Sequence, residues 1–152
     1  MSSIEHATKM DLAQILKLQK LAYKSEAEIY DDFSIPPLHQ TISELKEDFK
    51  SQIILKASDK EEIIGSVRAY NKGDTCFIGK LIVHPNYQNK GLGTKLMNNI
   101  EKQFDFVKRY ELFTGYKSIK NLYLYKKLGY KVFKMEVLNE KVKLTFLEKL
   151  NK

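Results

Sequence analysis

Apolar residues in this chain recur at two different periods, and the switches between them mark out the secondary structure. Ile4-Glu5-His6-Ala7 opens on a short strand pattern. Leu12, Ile15 and Leu16, then Leu18, Leu21 and Ala22, return at helical spacing and predict a first helix over residues 9–24. Thr8 suits its N-cap, with Asp11 three residues on able to return a bond to the cap N–H. Residues 26–40 mix acids and aromatics with the stiff Ile35-Pro36-Pro37, so they read as helix end plus loop, because a residue before proline avoids the helical region. A second helix is expected over residues 41–50, capped by Ser43, with Ile42, Leu45 and Phe49 on one face.

The period then shortens. Residues 53–57 are apolar, 63–70 alternate and 75–83 are again apolar-rich, with turn residues Ser58-Asp59-Lys60 and Asn71-Lys72-Gly73-Asp74 between them. That pattern predicts a meander of antiparallel hairpins. Leu92, Leu96, Ile100 and Phe104 recur every fourth residue and form the core stripe of a further helix. A strand over 109–114 and a helix over 119–128 follow, the helix stopped by Gly129. Residues 132–138 and 142–147 read as a closing hairpin with Val142, Leu144 and Phe146 on one face. The order is β-α-α-β-β-β-α-β-α-β-β, an α/β chain with a mixed sheet flanked by helices.

At 152 residues the chain suits a single domain, residues 1–152, large enough to fold without a disulfide or structural metal. Hydrophobic residues at 43% and charged residues at 30% exclude a disordered or low-complexity chain. The single cysteine, Cys76, excludes an internal disulfide and a multi-thiolate metal site. His6, His39 and His84 lack metal-ligand spacing, and no metal is expected. No segment has the length of a signal peptide or membrane span, so a cytoplasmic protein without a membrane partner is the default. The net charge of +7 suggests an anionic partner. The lysines are scattered, Lys17, Lys46, Lys90, Lys108, Lys126 and Lys149 among them, which argues against a nucleic-acid groove reader.

One turn carries chemistry. Gln88-Asn89-Lys90-Gly91-Leu92-Gly93-Thr94 joins a strand to a helix start, where unpaired N–H groups and the macrodipole favour an anion. Glycines at 91 and 93 let backbone approach it, and Lys90 and Lys95 add charge, so a pyrophosphate is the natural guest. A P-loop pattern is missing from the chain, and Leu96 stands where the dinucleotide fingerprint needs its third glycine. By itself the turn is equally well a tight strand-to-helix connection.

Gln88-x-x-Gly91-x-Gly93, preceded by Leu81-Ile82-Val83-His84-Pro85, resembles the acetyl-CoA signature of the GCN5-related N-acetyltransferases (GNAT). Tyr125-Lys126-Lys127-Leu128-Gly129-Tyr130 resembles that family's second signature, and the element order agrees along nearly the whole chain. The resemblance implies a GNAT-like acyl-CoA N-acyltransferase fold and direct transfer of acetyl from acetyl-CoA, as co-substrate, to a primary amine in a ternary complex. A non-catalytic acyl-CoA-binding module on the same fold, or a basic nucleic-acid-binding one, is the alternative. Dimers are common among such proteins, so a homodimer is admitted.

By the same resemblance, Leu81, Ile82 and Val83 line the pantetheine arm, with the Val83 N–H facing the thioester oxygen. Gln88, Asn89, Lys90, Gly91, Leu92, Gly93 and Thr94 hold the pyrophosphate. Tyr125 takes the place of the general acid. Asn121, or Ser118 nearer the chain start, stands where relatives contact pantetheine or a catalytic water. Some relatives carry a glutamate on the fourth strand, but here that position is Phe77. Glu111, Glu26 and Glu28 are then candidate bases, with bulk water as the remaining route. Glu26, Glu28, Tyr30, Asp31, Asp32 and Phe33, with Arg68 and Tyr70, fall where the family builds its acceptor pocket. Acids beside aromatics suit a cationic amine, whereas Arg68 suits a carboxylate.

Overall fold

The computed structural model describes residues 2–152, with the backbone alone for Ser2. Strand β1 (Ser2–His6) leads into α1 (Leu12–Tyr30), the short α2 (Pro36–His39) and α3 (Ile42–Ser51). The meander β2 (Ile53–Asp59), β3 (Glu62–Lys72) and β4 (Thr75–Val83) follows. Then come α4 (Leu92–Gln103), β5 (Arg109–Gly115), α5 (Ile119–Lys127), β6 (Lys131–Val137) and β7 (Lys143–Leu150). All seven strands form one sheet in the order β1-β2-β3-β4-β5-β7-β6.

Every neighbouring pair is antiparallel except β4 and β5, and that exception shapes the molecule. The parallel pair holds register only from Thr75↔Arg109 to Phe77↔Glu111, after which β4 continues to Val83 without β5 beside it. A bulge in β4 accompanies the parting. Arg68 faces Gly79 while Ser66 faces Ile82, so an extra residue is fitted into β4 where Lys80 turns to a left-handed φ of 52°. A bulge of this kind bends its strand and increases the local twist.

Apolar stripes cover both faces of the sheet. The α4 stripe of Leu92, Leu96, Ile100 and Phe104 is buried against Leu55, Val67, Ile78 and Leu112. On the opposite face Leu12, Ile15 and Leu16 of α1 meet Leu45 of α3 and Ile54, Ile63 and Ile82 of the sheet. A third cluster joins Ala27 and Tyr30 at the end of α1 to Ile35 and Val142. No helix among the described residues is long and apolar enough to cross a membrane.

Several expectations change. The first helix does not stop near residue 24; it runs to Tyr30, and Asp31 closes it in the left-handed conformation. Ala27 and Tyr30 are buried, and their contacts with Ile35 and Val142 hold this last turn helical despite its acids. Prolines 36 and 37 open α2 at the helix start, where a missing N–H costs nothing. The cap of α3 is Thr41, not Ser43: Thr41 Oγ1 accepts from the Glu44 N–H at 3.1 Å, and Glu44 returns a bond to the Thr41 N–H at 2.9 Å. In β7 it is Thr145 and Leu147, not Leu144 and Phe146, that are fully covered. Phe146 instead packs tilted against Phe113 and edge-on against Phe133.

Arg68 is a buried polar residue of the core. It lies 2% exposed on β3, where Asp48 Oδ2 of α3 accepts from its Nη1 at 3.0 Å and Gln19 of α1 accepts from Nη2. Gln19 in turn donates to the Pro37 carbonyl at 3.0 Å. These bonds clamp α1, α2 and α3 to one strand.

Candidate active site

The gap between β4 and β5 opens into a cavity of about 810 Å³. Its floor is Leu81, Ile82 and Val83 at the end of β4. One wall is α1, through Ala22, Tyr23, Ser25, Glu26 and Ile29; another is the start of α5, through Lys117, Ser118, Asn121 and Leu124. The glycine-rich turn closes the outer end.

The end of β4 presents backbone to this gap. The His84 N–H donates to Ile64 O on β3 at 2.8 Å. Amide groups alternate sides along a strand, so the N–H and carbonyl of Val83 turn the other way, toward the gap. Gln88 Nε2 folds back to donate to the Val83 carbonyl at 3.4 Å. His84 shapes the next turn, its Nδ1 accepting from the Asn86 N–H at 3.1 Å.

Gly91 caps α4 with a φ of 81°, a conformation that side chains resist, and Asn89 is left-handed as well, at 63°. The first N–H groups of α4 have no partner within the helix. Gly93 faces inward: a Cβ there would stand 3.2 Å from Leu124 Cδ2, so the absence of a side chain lets α5 close against the turn. Lys117, Lys120 and Lys127 line the α5 side. Bare amides, a helix start and a lysine rim fit a diphosphate.

Four residues form a hydrogen-bonded chain at the α1–α5 seam. Ser118 Oγ donates to Glu26 Oε2 at 2.6 Å, Tyr30 Oη lies 2.9 Å from Ser118 Oγ, and the Lys117 N–H donates to Tyr30 Oη at 2.8 Å. Tyr125, 6% exposed, sits behind this seam; burial pushes its phenol well above the usual tyrosine range, and the neighbouring Tyr23 phenol and Glu26 carboxylate act in the same direction. Burial likewise pushes Tyr23 up to about 12, against the Arg68 guanidinium and with Glu26. Both phenols therefore hold their protons at neutral pH.

The structure brings together Leu81, Ile82, Val83, Gln88, Asn89, Gly91, Leu92, Gly93, Thr94, Asn121, Ser118 and Glu26 on one cavity. Lys90 is turned aside, its ammonium 5.6 Å from the Tyr87 ring centroid. Tyr125 stands behind the wall and not on it. Asn121 Nδ2 donates to Thr114 Oγ1 at 3.3 Å.

Other candidates lie elsewhere. Glu111 is at the paired end of β5, 2.9 Å from Arg109, away from the gap. Arg68 is consumed by the α1–α3 clamp, and Tyr70 stacks on Phe77 with centroids 5.4 Å apart. Glu28 is exposed outside the cavity, and Phe33 is half-exposed. Asp32 accepts from Ser34 and Asn139, and Asp31 is the α1 cap. Tyr30 touches Ser118 without lining the cavity.

Sequence reading missed Tyr23, Ser25, Ile29 and Lys117 as wall residues. Tyr23 carried a signal, since it sits one turn before Ala27 on the same helix face, but only a helix continuing to Tyr30 makes that face visible.

The model of the acetyltransferase (GNAT) family matches residues 12–130 of this chain. Among solved structures, PaiA N-acetyltransferase from Thermoplasma acidophilum in complex with coenzyme A superposes with a TM-score of 0.83 at 16% identity, over 99% of each chain. The ribosomal-protein-S18-alanine N-acetyltransferase from Escherichia coli gives a TM-score of 0.82 at 13% identity, over 100% of this chain and 95% of that one. An N-acetyltransferase from Staphylococcus aureus Mu50 gives 0.78 at 17% identity, over 100% and 99%. No curated protein matches the chain significantly by sequence.

Proposed function

The chain belongs to the GNAT acetyltransferase family, and on that premise we propose that it moves an acetyl group from acetyl-CoA to a primary amine by direct transfer in a ternary complex. The observation that carries this reading is the parting of β4 from β5 beyond Phe77 and Glu111, which leaves the Val83 amide facing a cavity that ends on the bare N–H groups of α4. Acetyl-CoA supplies the thioester whose acetyl carbon the amine attacks.

Each protein group has a defined part. The amides of residues 91–94 hold the diphosphate, with the lysine rim around them. The Val83 N–H donates to the thioester oxygen, where negative charge develops, and a fixed donor there lowers the barrier. Tyr125, kept protonated by burial behind the cavity wall, delivers a proton to the departing sulfur once the α5 wall shifts to admit it. Glu26 receives the acceptor's ammonium and takes its first proton, which frees the nitrogen to attack; the second, shed as the amide forms, restores the proton that Tyr125 gave to the sulfur. No carboxylate stands on β4, where Phe77 stacks on Tyr70 instead, and Glu111 is committed to Arg109.

Two measurements test the proposal. Saturating acetyl-CoA raises the melting temperature of the protein, because ligand binds the folded form alone. A panel of primary amines then releases free thiol from acetyl-CoA. An unchanged melting temperature overturns the reading, and so does a shift without thiol release from any amine.

A further inference from the structure

The charged side chains lining the cavity are unevenly divided: Lys117, Lys120 and Lys127 stand on the α5 side, and Glu26 faces them from α1 as the carboxylate. We infer that Ser118 and Tyr30 are positioning residues that hold Glu26 as a seat for one ammonium, so that the preferred acceptor carries a single positive charge on an apolar or aromatic body. The inference rests on the transferase reading of the same cavity and adds to it the class of acceptor and the residues that select it.

The direction of the hydrogen bonds carries the argument. Ser118 has one hydroxyl proton, and at 2.6 Å from Glu26 Oε2 that proton goes to the carboxylate. Ser118 Oγ therefore accepts from Tyr30, whose hydroxyl is 2.9 Å away. Tyr30 accepts in turn from the Lys117 N–H at 2.8 Å. All three protons point down the chain toward Glu26, and bonds aligned in this way polarise one another. Ser118 is 3% exposed and Tyr30 6%, so neither hydroxyl is exchanged for water. Burial holds Tyr30 in its protonated, donating form.

One carboxylate oxygen is thus fixed by a short charge-assisted bond. Among the described residues, no hydrogen bond engages Oε1, which remains for a donor in the cavity. An ammonium there meets Tyr23 and Ile29 on the same wall, surfaces for an apolar or aromatic body. A second positive charge would find the three lysines and no further carboxylate on the lining. A diamine therefore gains nothing over a monoamine.

The test uses the whole 152-residue chain saturated with coenzyme A and measures three probes by calorimetry: benzylamine, benzyl alcohol and 1,4-diaminobutane. Wild type is expected to bind benzylamine roughly tenfold tighter than benzyl alcohol, the difference a charged hydrogen bond makes. Ser118→Ala removes most of that preference, Ser118→Thr retains it, and Tyr30→Phe gives a partial loss. Glu26→Gln abolishes it, and adding Ser118→Ala to Glu26→Gln changes nothing more, because the two residues act through one group. Three results overturn the inference: no preference for benzylamine in wild type, full preference in a folded Ser118→Ala variant, or tighter binding of the diamine. Thiol release from acetyl-CoA with benzylamine, assayed on the same samples, tests the transferase reading separately. Discrimination without turnover keeps the ammonium seat and overturns the enzyme.

Discussion

The hydroxyl of Tyr30 lies 2.0 Å from the point where a Cβ on Gly115 would stand. The last residue of α1 thus fills the space that the last residue of β5 leaves open, and this contact sets how closely the helix approaches the mouth of the cavity. From there Tyr30 reaches Ser118 and the Lys117 amide, so one phenol ties α1, β5 and the start of α5 together.

Gly115→Ala is expected to destabilise the protein by about 2 kcal/mol, the usual cost of an overpacked methyl. In a Tyr30→Ala background the same substitution has little effect, since the clashing ring is gone. Urea unfolding of the four proteins checks this. Equal losses in both backgrounds would show that some other contact makes position 115 a glycine.

Tyr125→Phe should lower kcat by on the order of 100-fold, the contribution of one positioned acid. The acetyl-CoA-dependent rise in melting temperature stays, because in the proposed mechanism the missing oxygen serves the leaving sulfur and not the diphosphate. Steady-state kinetics beside a thermal shift separates the two effects. Full turnover in the variant would remove Tyr125 from the chemistry.

Asp48→Ala leaves the Arg68 guanidinium, with its side chain 3% exposed, without its counter-charge. Stripping one partner from a buried pair costs about 3 kcal/mol, whereas replacing both by apolar groups of similar size is far milder. The double variant Asp48→Leu, Arg68→Met should therefore be more stable than Asp48→Ala alone. Denaturant midpoints decide the order, and the reverse order would count against a buried pair.

Stability should fall on the alkaline side. Burial raises Tyr23 and Tyr110 to about 12 and raises Tyr125 and Tyr130 further, all above the 10.0 of a free phenol. Below pH 10 both folded and unfolded chains hold these protons, and the stabilisation is complete. As pH rises from 10 toward 12 the unfolded chain ionises first, so the free energy of unfolding declines. Urea titrations at about pH 9 and about pH 11 measure the loss, while the buried phenolates stay silent in the ultraviolet until unfolding. A flat profile would mean that these tyrosines titrate as they do in water.

Local chemistry made much of this legible. The four-residue stripe from Leu92 to Phe104 has one way to meet a sheet, and it is buried throughout. The span of β4 follows from its apolar run between two turns, and the tight turn into α4 from Gly91 and Gly93 ahead of that stripe. These are near-neighbour effects, in which residues a few positions apart settle each other's conformation.

Residues 26–30 show where such effects stop. Their acids and the following prolines favour a loop, but burial of Ala27 and Tyr30 against Val142 outweighs local preference. Only when that last turn is helical does Glu26 face Ser118, 92 positions away along the chain. Arg68 has the same lesson: on β3 it looks like a substrate contact, yet Gln19 and Asp48 converge on it from two helices and withdraw it from the cavity. By itself the sequence determined most of the elements, the glycine turn at a helix start and the family resemblance. The tertiary structure alone decided which charges line the cavity, because a side chain's partners come from segments whose approach is set by packing at a distance.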